Sequence, residues 1–224
     1  MTEIQAIGPA VPGGWLPRFT AFVFGGVAYL TFLFTILYAI GFVSGLDVPK
    51  AIDTGPESGM VEAIAVNLVL MSLFAIQHSA TVRKSFRHSW MQFIPGSVER
   101  STYVLCASLT LLLLLWQWRP MPAVIWHVED PELAMAIATL SFIGWVVVFT
   151  SAFLVDRFEL FGRNQDSNDL AGREIPTGIH RLRRQPIYSG IIIACWAAPT
   201  MSAGHLLLAV VSTAYVFIVM LGKH

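Results

Sequence analysis

From Phe19 to Val43 the sequence carries no charged residue. A helix needs about 20 consecutive apolar residues to cross a bilayer, and a span in lipid must satisfy its own backbone hydrogen bonds. That one run commits the chain to a membrane and to helices. The rest of the sequence agrees: 55% of its 224 residues are hydrophobic and only 12% are charged, against about 25% charged in soluble domains.

Three more spans follow. The second covers about Val61 to Gln77, with Glu62 at its outer end and Asn67 and Gln77 as internal polar residues. The third covers about Thr102 to Trp116 and closes on WQWRP at 116–120, whose tryptophans suit the interface. The fourth covers about Leu133 to Val155, with Pro131 and Glu132 as its first turn. The apolar run 187–221 is too long for one span. Pro199 and Gly204, with Thr200, Ser202 and His205 among them, predict two helices joined by a tight turn near 199–204. The expected fold is all-α: a polytopic integral membrane bundle of about six transmembrane helices, the last two a hairpin. An N-terminal tail, 1–18, precedes a single domain, 19–224.

Lysine and arginine set the orientation. With the N-terminus inside, Arg18, the loops 78–100 and 156–186 and the C-terminus share one face and hold twelve of the fourteen Lys/Arg residues. Lys50 and Arg119 alone lie on the other face. Both termini are therefore expected in the cytoplasm, and the protein in a bacterial inner membrane. The N-terminus does not read as a cleavable signal: it begins acidic, and its Pro and Gly residues precede the apolar run. A net charge of zero gives no reason to expect nucleic acid as a partner. No internal repeat of the transporter kind is visible.

Three polar clusters are expected to meet at the cytoplasmic face: Gln77-His78-Ser79, Glu99-Arg100-Ser101-Thr102-Tyr103, and the stretch from Asp156 to Tyr188. Ionisable groups at or in a membrane are functional candidates. His78 can carry a proton near neutral pH or simply end its helix. Glu99 and Arg100 sit at a helix start, where Glu favours the dipole and Ser101 is a candidate cap. Arg83, Lys84 and Arg87 read as topology signals. His205 belongs near the opposite face, and His127 in a solvated outer loop. Cys106 and Cys195 lie in apolar runs without the spacing of a metal or redox site. Hydrolase, zinc-protease, dinucleotide and P-loop motifs are absent from the sequence.

The passage RRQPIYSG (183–190), between a polar segment and a terminal helical pair, resembles the R-H-P-x-Y-x-G motif of the isoprenylcysteine carboxyl methyltransferase-like membrane enzymes. The blocks LFAIQHSATVRKSF (73–86), PGSVERSTYVLCASLTLLLLLWQWRP (95–120), GWVVVFTSAFLVDRFELFG (144–162) and WAAPTMSAGHLL (196–207) are similar to the bacterial methanethiol S-methyltransferases, an NnrU-like branch. The resemblance runs over about residues 60–221. It implies S-adenosylmethionine as cofactor, a small thiol as substrate and a lipid bilayer as the setting. It also implies cofactor-binding roles for Arg183, Arg184, Gln185, Pro186, Tyr188 and Gly190, and places His78, Glu99 and Arg100 as the catalytic candidates. No metal is implied. Gln185 stands where the family motif has His, so it keeps hydrogen-bonding capacity without the ability to carry a proton. The family pattern continues past the last helix with an E-E-x-x-L segment, whereas this sequence ends at LGKH (221–224); either that segment lies beyond His224, or the cofactor pocket lacks one wall and weak binding or none is expected. The competing expectation is a non-catalytic protein of the same fold with a binding or assembly role. Acceptors in the broader family range from prenylated cysteine to small thiols, and nothing in the sequence marks an oligomeric state.

Overall fold

The computed structural model describes residues 15–56, 58–82, 98–165 and 177–221, with backbone only for the helical residues 17–18, 81–82, 152–165 and 177–185. The helices among them are α1 (Trp15–Ser44), α2 (Met60–Val82), α3 (Glu99–Gln117), α4 (Pro131–Gln165), α5 (Thr177–Trp196) and α6 (Ala203–Leu221). Five have stretches long and apolar enough to cross a membrane: Phe19–Ser44, Met60–Ala80, Glu99–Gln117, Pro131–Ser151 and Ala203–Leu221. In α5 the apolar part is the shorter Pro186–Trp196. The protein is thus an all-α integral membrane protein; among the described residues five helices are long and apolar enough to span, and one is half cationic and half apolar.

The chain divides into two compact units, residues 1–120 and 121–224. In the first, α3 packs against both α1 and α2. Ala28, Thr35, Ala39 and Phe42 of α1 are buried at helical spacing, as are Ala63, Asn67 and Met71 of α2. Small residues at these positions let helices approach where no water drives them together. Phe22, Leu30, Val61 and Ile76 point outward, as a lipid-facing surface requires. Thr31, Thr35, Ser108 and Thr110 each donate to the carbonyl four residues back, so none of these four hydroxyls is stranded. Gly45, at φ 66°, ends α1. Asn67, fully buried, joins α2 to the segment after α3: its Nδ2 donates to the Arg119 carbonyl and its Oδ1 accepts the Arg119 amide, both at 2.8 Å.

In the second unit α5 packs against α4 and α6. The α4–α5 approach is backbone on backbone. A methyl group at Gly144 would lie 2.6 Å from the Ala194 nitrogen and 2.9 Å from the Gly190 carbonyl, and one at Gly190 would lie 2.9 Å from the Gly144 carbonyl. Ser141 Oγ donates to the Ala194 carbonyl at 2.9 Å across the same interface.

The structure differs from the sequence reading in three places. The polar segment 156–186, read as a loop, is helical over 156–165 and 177–186. Hydropathy marks where a helix leaves lipid, not where it stops, and Arg, Glu and Leu are good helix formers in water. Pro186, at the point where the polar segment meets the apolar run, lies inside α5; it removes one backbone donor and the helix continues through it. The turn near 199–204 contains a strand, β2 (Thr200–Ser202), paired antiparallel with β1 (Val124–His127). Flanking bonds from Val128 to Pro199, Ala203 to Ala123 and Gly204 to Met121 extend that pairing. Residues 1–14 and 83–97, with Arg83, Lys84 and Arg87, lie outside the described residues.

Candidate active site

The sequence-predicted residues fall in both units. In the first, His78 lies in the last turns of α2, and Glu99 and Arg100 open α3. Glu99 occupies the first turn, where its charge complements the helix dipole. Ser101 is not the cap: the N-cap is Val98, without a side-chain bond, and Thr102 Oγ1 returns to the Val98 carbonyl at 2.9 Å. Arg100 is exposed and Glu99 half-buried.

His78 is half-buried and held on two sides. Phe74, one turn earlier, stacks on its ring with centroids 5.4 Å apart and planes at 26°. From α3, Tyr103 Oη lies 3.4 Å from His78 Nδ1, a long hydrogen bond, with ring centroids 6.0 Å apart. When the Tyr103 hydroxyl donates, Nδ1 is the acceptor and Nε2 carries the proton. α2 and α3 thus bring His78 and Tyr103 together beside Glu99 and Arg100. The sequence reading names Tyr103 as a member of its polar cluster without a role of its own, and does not single out Phe74. Phe74 was legible as the residue four before His78, on the same helical face.

In the second unit, Arg183, Arg184 and Gln185 lie in α5; their side chains fall outside the described residues. Pro186 is exposed, Tyr188 half-buried and Gly190 buried. Ser189 Oγ donates back to the Pro186 carbonyl at 3.0 Å. Arg184 precedes Tyr188 by one helical turn. Gly190 makes the α4 crossing possible, so its lack of a side chain has a packing cause. Next to Gly144, the Trp145 Nε1 is buried without a hydrogen-bond partner among the described residues. An unsatisfied N–H in a membrane-spanning helix is costly, which makes Trp145 a candidate donor that the sequence reading missed.

His205 sits apart from these residues, at the start of α6. It is buried, its Nε2 lies 3.0 Å from the Cys195 carbonyl, and its backbone N–H donates to Ser202 Oγ. Cys195 is seven residues beyond Tyr188, about 10 Å along α5. His127 is exposed on β1, with Nδ1 2.8 Å from Thr200 Oγ1. Among the described residues no three His, Cys, Asp or Glu side chains are grouped to hold a metal ion.

Comparison with known proteins bears on what this arrangement serves. No protein-family profile matches the sequence, and no solved structure matches it. The chain is 54% identical to "Methanethiol S-methyltransferase 1" of Bradyrhizobium diazoefficiens over 96% of its own length and 78% of that protein. It is 44% identical to "Methanethiol S-methyltransferase" of Mycobacterium tuberculosis, over 91% of its length and 86% of the relative. A more distant similarity, 28% over 71% of the chain and 66% of the relative, is to "Nurim" of Sus scrofa. With identity this high over nearly the whole chain, the chain belongs to the methanethiol S-methyltransferase family.

Proposed function

We propose that this protein transfers a methyl group from S-adenosylmethionine to the sulfur of methanethiol, giving dimethyl sulfide. The observation that carries the reading is the 54% identity over 96% of the chain to a protein of that name. No observation favours the non-catalytic alternative. When bound, S-adenosylmethionine supplies a methyl group activated by its sulfonium. The second unit has residues suited to such a molecule: an orphaned buried donor at Trp145 Nε1, a half-buried Tyr188, and the arginines one turn before it.

Arg183 and Arg184 bind a carboxylate in bidentate fashion. Tyr188 offers a ring face and a hydroxyl, and Gln185 a neutral hydrogen-bond donor. Pro186 and Gly190 shape the helix that presents them. The thiol must reach the reaction as thiolate, the nucleophilic form. His78 accepts the thiol proton at Nε2, in the tautomer whose Nδ1–H donates to the Tyr103 oxygen. Arg100 favours the resulting anion, and the neighbouring Glu99 balances that cation. Methyl transfer then needs alignment of sulfur and methyl group more than further acid–base help. The same reading puts the protein in a bacterial inner membrane with both termini in the cytoplasm, following the twelve-to-two division of Lys/Arg residues.

Isothermal titration of the purified protein with S-adenosylhomocysteine tests the cofactor assignment. Wild type is expected to bind, and Arg184→Ala and Tyr188→Ala to bind more weakly. Unchanged affinity in both variants removes those residues from the site.

A further inference from the structure

The end of the first unit farthest from His78 has a chemistry that methyl transfer does not use. It is built from residues 45–56 and 58–59, between α1 and α2, and from Trp116–Pro120, at and beyond the end of α3. Glu99 and Gln117 stand at opposite ends of α3, about 27 Å apart along the helix. Residues 45–56, 58–59 and Trp116–Pro120 therefore lie at one end of three membrane-length helices, at the level of lipid headgroups.

Lys50 and Arg119 converge at this end. Lys50 Nζ donates to the Trp116 carbonyl. A methyl at Gly55 would lie 3.3 Å from Lys50 Cε and 3.7 Å from Pro120 Cδ, so the lysine stem runs against the residue that follows Arg119. The Arg119 main chain is fixed by its two bonds to Asn67. Among the described residues neither cation has an ion pair. Burial, and then the Arg119 charge, push the Lys50 pKa below its ordinary 10.5. Three buried polar atoms in these same two segments have no hydrogen-bond partner among the described residues: Arg119 Nε, Trp118 Nε1 and Ser58 Oγ. Trp118 is fully buried, with 0% exposure. The first two can only donate. Beside them Trp116 and Leu46 are exposed apolar residues.

We infer that this end of the first unit binds a phosphate group, that of a membrane phospholipid headgroup. Two cations without an ion pair among the described residues, and orphaned donors beside them, call for an anion with several acceptor oxygens, even with Asp47 and Asp53 in the same segment. A guanidinium matches phosphate in bidentate geometry, and an ammonium adds a point charge. Basic sites at headgroup depth are where lipid phosphates are available, and the exposed Trp116 and Leu46 give the acyl chains an apolar flank. Lys50 capping α3 accounts for the lysine alone; it leaves the Arg119 guanidinium unexplained.

Native mass spectrometry of the full chain released from detergent provides the test, with phosphatidylglycerol as probe. Wild type is expected to retain one phosphatidylglycerol adduct. Arg119→Gln, which leaves the main-chain bonds to Asn67 in place, is expected to lower its occupancy about tenfold, the size of one charge-assisted contact. Lys50→Gln should act likewise, and Lys50→Arg should restore binding. Competition with inorganic phosphate identifies the source. Failure to displace the adduct supports the lipid, whereas displacement keeps the phosphate chemistry but overturns the lipid assignment. Equal adducts on wild type, Arg119→Gln and Lys50→Gln, all folded by their thermal midpoints, overturn the site itself.

Discussion

Replacing Gly144 with Ala probes the contact that holds the second unit together. The added Cβ would stand 2.6 Å from the Ala194 nitrogen and 2.9 Å from the Gly190 carbonyl. All its close neighbours are backbone, so no side chain can turn aside. Restoring an ordinary contact of about 3.4 Å requires α4 and α5 to separate by about 0.8 Å. Overpacking of this kind costs about 1–3 kcal/mol. The same separation stretches the Ser141–Ala194 bond from 2.9 Å beyond hydrogen-bonding distance, which adds about 1 kcal/mol. A loss of about 2–4 kcal/mol is expected, read as a lower unfolding midpoint by tryptophan fluorescence in detergent. Gly26→Ala is the control, because a Cβ at Gly26 meets nothing within 4 Å and Ala is the better helix former. If Gly144→Ala unfolds at the wild-type midpoint, the close backbone crossing is wrong.

Other perturbations reach the remaining contacts. Asn67→Ala removes two hydrogen bonds and strands the Arg119 amide and carbonyl, so stability should fall by about 2–4 kcal/mol; an unchanged chemical-denaturation midpoint contradicts the Asn67 lock. Tyr103→Phe should leave the thermal midpoint near wild type while lowering kcat several-fold, and His78→Ala should lower it further. Equal activity in all three proteins removes His78 from proton handling. Lys50 has a folded pKa below 10.5, so just below that pH the unfolded chain binds more protons than the folded one. Stability should therefore rise with pH through that window, and Lys50→Gln should flatten the rise.

The membrane fold was legible because lipid imposes a length and a hydropathy on every span. Phe19–Val43 and the Pro131 start of α4 could be read directly. The α4 extension to Gln165 and the start of α5 at Thr177 could not, since outside lipid a helix no longer needs an apolar sequence. The β1–β2 pairing joins residues more than seventy positions apart, and only the β-branched and aromatic run Val124-Ile125-Trp126 hinted at a strand. Asn67 was visible as a polar residue inside a span, but its partner is the Arg119 main chain, which a sequence does not announce. At the candidate site, His78 and the Glu99-Arg100 pair stood out by charge in an apolar chain. Tyr103 was legible as part of its polar cluster, but its pairing with His78 emerges only from the packing, as does Trp145, by its unsatisfied N–H.

The reaction itself is tested most directly with a labelled donor. Membranes carrying the protein would be given methanethiol and S-adenosylmethionine bearing a trideuterated methyl group, and the headspace read by gas chromatography with mass detection. Dimethyl sulfide carrying one deuterated methyl is expected, absent from membranes lacking the protein. Folded protein that binds S-adenosylhomocysteine yet yields no labelled dimethyl sulfide would contradict the proposed reaction.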